Sequence, residues 1–315
     1  MRLKTGYVAI FFTMALLLSG CSSLKSGVLN PQGPVAQKQY DLIIWSIVLM
    51  SIVFIAVIVL FVYMLVKYRA KSTNEDYVEP EEKENKWLEV LWTAIPVVII
   101  IALAIPTVKT TFSLEKSPSP NQKPITIQVT SANWKWIFKY PEQGIQTVNY
   151  VNIPANVPVR FQLNAVGPMN SFWVPELGGQ EYTMPGMTMY LWLEADKAGT
   201  FIGRSANFSG KDFTHMQFNV NSLEKTKFED WVANVKKTAP KQTEKMFKDL
   251  LKPGVVKEQT YSSYPNIDVN RLDENGNPIL EPQSPTHHHG NGGKEDNEHK
   301  ELEMDMNHNS HTNHK

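Results

Sequence analysis

Apolar residues are packed into the first third of this chain and thin out steadily after it. Three apolar runs precede residue 110, and the last forty or so positions are almost entirely polar. The first run, Val8 to Leu18, follows Arg2 and Lys4 and ends in small residues. It is shorter than the ~20 residues a bilayer span requires, so it reads as a signal peptide over 1–20. The second run carries no charge from Leu42 to Val66, long enough to span with some tilt. The third extends from about Val90 to Val108, with Pro96 and Pro106 inside it. Lys67, Arg69, Lys71, Lys83 and Lys86 crowd the connection over 67–89, whereas only Lys25 and Lys38 precede the first span. The excess of positive charge predicts a cytoplasmic connection and an extracytoplasmic position for everything after about residue 110.

Beyond the spans the period changes from helical to alternating. Ile125–Thr130, Val157–Leu163, Thr188–Leu193, Gly199–Gly203 and Met216–Val220 predict short strands separated by Gly and Pro. Pro158 puts the second of these at a strand start or a sheet edge. Several such runs within about a hundred residues point to a sandwich or small barrel. Ser222 is positioned to cap a following helix, on which Phe228, Trp231, Val232 and Val235 share one face. Phe247, Leu250, Leu251, Tyr261 and Tyr264 then predict a segment that packs back on the β domain or on a partner. From 269 to 315 the chain cannot bury enough apolar surface to offset its ordering entropy, which predicts a disordered tail.

Formal charge is balanced at +0, so nucleic acid is not an expected partner. The single cysteine, Cys21, excludes an intramolecular disulfide and a thiolate cluster. Its setting, Leu18-Ser-Gly-Cys21 at the end of the signal-like run, resembles the lipobox of bacterial lipoproteins. That resemblance implies an acylated Cys21 as the mature N-terminus, at the head of a lipid-anchored extracytoplasmic segment over 21–40. An outer lipid anchor agrees with the topology given by the charges.

Trp87-Leu-Glu-Val-Leu-Trp-Thr-Ala-Ile-Pro96, Asn133-Trp-Lys-Trp136, Asn170-Ser-Phe-Trp-Val-Pro-Glu-Leu-Gly-Gly179 and Leu191-Trp-Leu-Glu-Ala-Asp196 resemble passages of subunit II of the haem-copper respiratory oxidases, over roughly residues 40–222. The resemblance implies a transmembrane helical hairpin over 41–109 and an all-β cupredoxin-like barrel or sandwich over 118–222. A helical and aromatic extension over 223–268 and the tail complete the fold. In members that oxidise cytochrome c, the β domain holds CuA, a two-copper centre with two bridging cysteines, two histidines, a methionine and a glutamate carbonyl. Carried onto this chain, those positions are Ser205 and Ser209, Asn170 and Phe213, Met216, and Asn207. Only Met216 keeps the residue type. Protonated hydroxyls, an amide and a benzyl ring cannot supply the soft thiolate and imidazole donors of a copper electron-transfer site, and His215 is the only histidine between residues 22 and 286.

A subunit II without CuA resembles the quinol-oxidising branch of the family, found in Gram-positive bacilli. It implies a respiratory quinol:oxygen oxidoreductase of the bacterial cytoplasmic membrane that pumps protons. Haems, copper and oxygen chemistry would belong to a partner subunit I, with smaller membrane subunits beside it and no cofactor in this chain. Glu89, at the cytoplasmic edge of the second span, suits a first helical turn for electrostatic reasons alone. The family match implies, in addition, a place at the mouth of a proton-uptake path. Trp134 and Trp136 match aromatic positions that serve CuA elsewhere; with no copper to serve, they are expected to pack. Met184, Met187 and Met189 suggest either weak Cu(I) capture or, from the alternation of Met187 and Met189, barrel packing. His287, His288, His289, His299, His308, His311 and His314 follow no structural-site spacing. The alternative function is a membrane-tethered cupredoxin-like protein that handles copper through its methionines and tail.

Overall fold

A computed structural model describes residues 27–69, 84–272 and 277. The signal-like segment, Cys21, most of the charged connection and the histidine-rich tail lie outside the described residues.

Two long helices carry the apolar runs. Helix α1 spans Pro34–Lys67 and α2 spans Lys86–Leu114, so both predicted spans lie inside longer helices. Their faces are exposed nearly all round, from Ile47 to Val66 and from Trp87 to Val108. A helix apolar on every side is suited to lipid or partner helices, not to water. Pro106 has no N–H to give the Ala102 carbonyl one turn earlier. That carbonyl accepts instead from Trp45 Nε1 of α1, at 3.2 Å, which joins the two helices near their outer ends.

The β domain is built from eleven strands: β1 Ile125–Ala132, β2 Lys135–Tyr140, β3 Ile145–Val148, β4 Tyr150–Pro154, β5 Val159–Val166, β6 Asn170–Trp173, β7 Glu181–Thr183, β8 Met189–Leu193, β9 Gly199–Ser205, β10 Gln217–Leu223 and β11 Gln259–Tyr261. They form two sheets, ordered β11-β3-β2-β1-β5-β8 and β4-β10-β9-β6-β7. The β1–β5 and β4–β10 pairs are parallel, and the remaining pairs are antiparallel. Alternation along β2 sends Trp136, Phe138 and Tyr140 between the sheets. There Trp136, Phe138, Phe161, Phe172 and Phe218 form an aromatic cluster with ring centroids 5.1–6.3 Å apart. Gly203 makes room for it, since a Cβ there would lie 2.0 Å from the Phe218 ring. Tyr140 ties the sheets together: its hydroxyl donates to the Asn152 carbonyl (3.0 Å) and accepts from the Asn152 N–H (2.9 Å).

Helix α1 is seated on this domain before it enters the membrane. Val35 and Ala36 are buried, the Ala36 N–H donates to the Leu177 carbonyl, and the Gln32 N–H donates to the Glu176 carbonyl. Gly33 is required by close approach: a Cβ would lie 1.9 Å from the Glu194 carbonyl oxygen. The membrane hairpin and the β domain are thus one folded unit.

The extension contributes helices α3, Lys225–Thr238, and α4, Glu244–Leu251. Phe228 and Val235 of α3 are buried and Trp231 and Val232 pack beside them, as the helical spacing predicts. Ser222 does not cap this helix. It lies in β10, opposite Gly199 and Ile153, because the strand continues to Leu223 and leaves Glu224 at the cap. The chain also stays ordered past 268: Val269 and Leu272 are buried against a second apolar cluster with Ile137, Val148, Phe247, Leu250 and Leu251. The expected tail from 269 thus does not include Val269–Leu272, whose apolar side chains are held by the domain.

Under this cluster lie the outward residues of β2, Lys135 and Lys139, which are 1% and 5% exposed. Lys135 Nζ donates to the Leu250 and Lys252 carbonyls at 2.9 and 2.6 Å, at the negative end of α4. Lys139 Nζ lies 4.4 Å from the centre of the Phe247 ring and 5.3 Å from that of Tyr264. Burial pushes both ammonium groups down to about 8. Between about pH 8 and the ordinary value of 10.5 the unfolded chain therefore holds protons that the folded state has released. Stability rises with pH across that window, by at most about 1.4 kcal/mol per pH unit for each lysine. Hydrogen exchange of α4 and β11, corrected for base catalysis, is expected to slow between pH 8 and 10. Lys139→Met is expected to remove about half of the rise, and an unchanged slope in that variant would contradict the assignment.

Candidate functional site: a polar network at the end of the sandwich

Six strand ends, those of β1, β2, β6, β7, β9 and β10, meet at one end of the β sandwich. The segment over 206–216 closes it with a 3-10 turn, Phe213–His215. Most of the positions singled out in the sequence converge here. Asn170 opens β6, Ser205 ends β9, Asn207 and Ser209 occupy the connecting loop, and Met216 precedes β10.

Hydrogen bonds to neighbouring groups account for most of these side chains. The Ser205 hydroxyl donates to the Asn207 carbonyl at 3.1 Å and lies 3.4 Å from Asn170 Oδ1. Asn170 Nδ2 donates to the Pro168 carbonyl at 3.0 Å and approaches Ser131 Oγ at 3.4 Å. Ser131 Oγ and Thr183 Oγ1 are 2.7 Å apart. Asn207 Nδ2 donates to the Met169 carbonyl at 3.1 Å. The Met216 carbonyl accepts from the Ser205 N–H at 3.0 Å and from Trp136 Nε1 at 3.3 Å. Its sulfur lies 4.0 Å from Ser209 Oγ. Asn170, Ser131, Thr183, Ser205 and Met216 are all buried. Buried polar groups are costly unless paired, and here they pair with one another.

Phe213 stands outside the network. It is half-buried and meets Phe208 edge-on at 5.6 Å, while Phe208 itself is exposed. Trp134 Nε1 donates to the Ser209 carbonyl at 3.0 Å, and Lys211 Nζ lies 5.9 Å from the Trp134 ring. Both tryptophans thus brace the loop. The donor set does not fit a pair of coppers: two hydroxyls, an amide and a ring offer hard or absent donors where thiolate and imidazole are needed. Ser131 and Thr183 are functional neighbours that sequence reasoning missed. Neither carries a local signal; only the pairing of β6 with β7 brings Thr183 to this end.

The remaining candidates lie apart. Glu89 is in the first turn of α2, exposed, behind the Asn85 cap whose Oδ1 accepts from the Leu88 N–H at 3.3 Å. The positive end of the helix favours a carboxylate there, and the Glu89 carbonyl accepts from Thr93 Oγ1. Met189 packs against the core, but Met187 is 53% exposed. It precedes β8 instead of belonging to it, so the alternation that predicted barrel packing for both holds for Met189 only.

Two family profiles match the chain, one described as cytochrome c oxidase subunit II, transmembrane domain, over residues 26–110, and one as cytochrome c oxidase subunit II, periplasmic domain, over residues 143–223. Among curated relatives, quinol oxidase subunit 2 of Bacillus cereus is 56% identical over 254 residues, covering 80% of this chain and 87% of that protein. Quinol oxidase subunit 2 of Bacillus subtilis is 45% identical over 264 residues, covering 83% of this chain and 82% of that protein. Of solved structures, the periplasmic domain of subunit II of cytochrome oxidase from Bradyrhizobium japonicum is 26% identical. It covers 36% of this chain and 94% of its own, with a TM-score of 0.35.

Proposed function

Because the chain belongs to the cytochrome c oxidase subunit II family, and within it to the quinol oxidase subunits 2, we propose that it is the non-redox subunit of a membrane oxidase passing electrons from a quinol to oxygen. The observation that carries this reading is the hydrogen-bonded network of Asn170, Ser205, Asn207 and Met216, largely buried, in place of a metal-binding set. Quinol is lipid-soluble and delivers its electrons within the bilayer, so an outer copper relay has no task. Haems, copper and oxygen reduction then belong to subunit I, which this chain joins through the apolar faces of α1 and α2, with smaller membrane subunits completing the complex. The β domain stands on the extracytoplasmic side, and an acylated Cys21 adds a second hold on the outer leaflet. Membranes in which this chain is tagged are expected to yield a complex with haem bands and quinol-dependent oxygen uptake. Electron transfer from a soluble cytochrome into the outer domain would refute the reading.

Glu89 is the one residue of this chain we place on the path of the proton. An ionisable side chain at a membrane boundary can collect protons from water and hand them to a relay in the partner subunit. In the assembled complex, Glu89→Gln is expected to lower turnover and proton uptake several-fold while the haem spectrum stays unchanged. Full turnover in that variant would leave Glu89 with its electrostatic role at the helix start only.

Replacing Cys21 with serine is expected to abolish lipid labelling of the chain, and persistent labelling would overturn the anchor.

A further inference from the structure

Where α1 leaves the β domain, Val28, Leu42, Ile43 and Trp173 line an open apolar groove of about 530 Å³. All four side chains are half-buried, whereas the helix residues immediately below, Ile44, Trp45, Ile47 and Val48, are exposed. The floor is the loop Gly178-Gly179. A Cβ on Gly178 would lie 2.5 Å from Leu193 and 2.8 Å from Val35, and one on Gly179 would lie 2.5 Å from Gln39 Nε2. The two glycines therefore let the loop close on the helix and form the end of the groove. Gln39 and Gln180 stand at its rim.

We propose that this groove seats an acyl chain of the lipid carried by Cys21, so that the anchor is held by the protein as well as by the bilayer. The proposal rests on the reading that Cys21 is acylated. Three observations select this occupant. The groove opens at Leu42, the first residue of the apolar span, and so at the outer boundary of the hydrocarbon layer, where acyl chains begin. Val28, part of its wall, is seven residues from Cys21, a tether that reaches at most about 25 Å when extended. The chemistry also matches an ester-linked chain: apolar walls for the methylenes, and amide N–H donors of Gln39 and Gln180 for the ester carbonyls. Its size falls in the ordinary range of small-molecule pockets, about 300–1,000 Å³.

The test uses the full complex in native membranes. Cells are fed a fatty acid bearing a diazirine near its end, irradiated, and the crosslinked peptides of this chain are mapped by mass spectrometry. The expected result is an intramolecular link from the Cys21 peptide to the peptides containing Leu42 and Ile43 or Trp173. Val28→Trp, which fills the groove, is expected to abolish that link while labelling of Cys21 and haem content persist. Ile43→Trp serves the same purpose if the first variant fails to assemble. Links from Cys21 only to bulk lipid or to subunit I would overturn the groove while leaving the anchor intact. Links at the groove that survive in Cys21→Ser would assign it to a free bilayer lipid and also overturn the proposal. A wild-type Cys21 peptide without label would overturn acylation itself, and the groove proposal with it.

Discussion

Phe172→Ala is expected to destabilise the outer domain by about 3–5 kcal/mol, the cost of deleting a large core aromatic. Phe172 is fully buried and touches four other rings. It stacks on Phe218 at 5.1 Å and 16°, and meets Trp136, Phe138 and Phe161 at 5.2–6.3 Å. Its ring partners come from three strands, Trp136 and Phe138 from β2, Phe161 from β5 and Phe218 from β10, so one deletion loosens both sheets together. A typical domain is stable by about 5–15 kcal/mol in all, so the loss is expected to show as poor accumulation of the complex. Phe172→Leu keeps most of the volume and forfeits the ring geometry, about 0.5–1.5 kcal/mol per aromatic pair. Denaturant titration followed by tryptophan fluorescence, with Trp136 as an internal reporter, checks both. A loss below about 1 kcal/mol for the alanine variant would mean that the cluster relaxes around the hole.

The parts of this fold that were legible in the sequence are those in which one chain segment carries its own signal. Leu42–Val66 announces a span by length and lack of charge, and Ile125–Thr130 announces a strand by alternation. The missed strands have a common cause. In β2, Trp136, Phe138 and Tyr140 alternate correctly, but the intervening Lys135 and Lys139 suggest solvent on the other side. In fact that side is covered by α4 and by Tyr264, more than a hundred residues away. Gln146 and Thr147 of β3 are likewise fully buried, a placement only tertiary pairing can produce. Ser222 illustrates the converse error: a good cap residue stays in a strand when the ladder to β4 and β9 outweighs one side-chain hydrogen bond.

The polar site was legible only through its resemblance to a copper site. Spacing alone does not connect Asn170 with Ser205, and nothing local marks Ser131 or Thr183 as their neighbours. What the structure adds is how these side chains satisfy one another. Each lost ligand position holds a group able to pair with a neighbour or, in Phe213, to pack on another ring.

The same geometry predicts that the conversion can be reversed. The combined variant Asn170→His, Ser205→Cys, Ser209→Cys and Phe213→His is expected to bind two coppers per chain and turn purple, where the wild-type domain takes up none. Five of the six positions already lie within hydrogen-bonding or sulfur-contact distance of another member: Ser205 of Asn170 and Asn207, and Ser209 of Met216. Met216 needs no change, and Asn207 offers its carbonyl once Ser205 no longer donates to it. Thiolates replace hydroxyls of similar length, so the loop can keep its course, and bridging sulfur supplies the soft donors that oxygen lacks. Ser205→Cys alone is expected to bind no copper, since one thiolate amid amides and a benzyl ring is an incomplete set. Metal content and visible absorption of the reconstituted protein measure the outcome. Copper uptake by the unaltered chain at this site, or a folded fourfold variant that stays colourless, would show that the hydroxyl network is not the relic of a copper cradle.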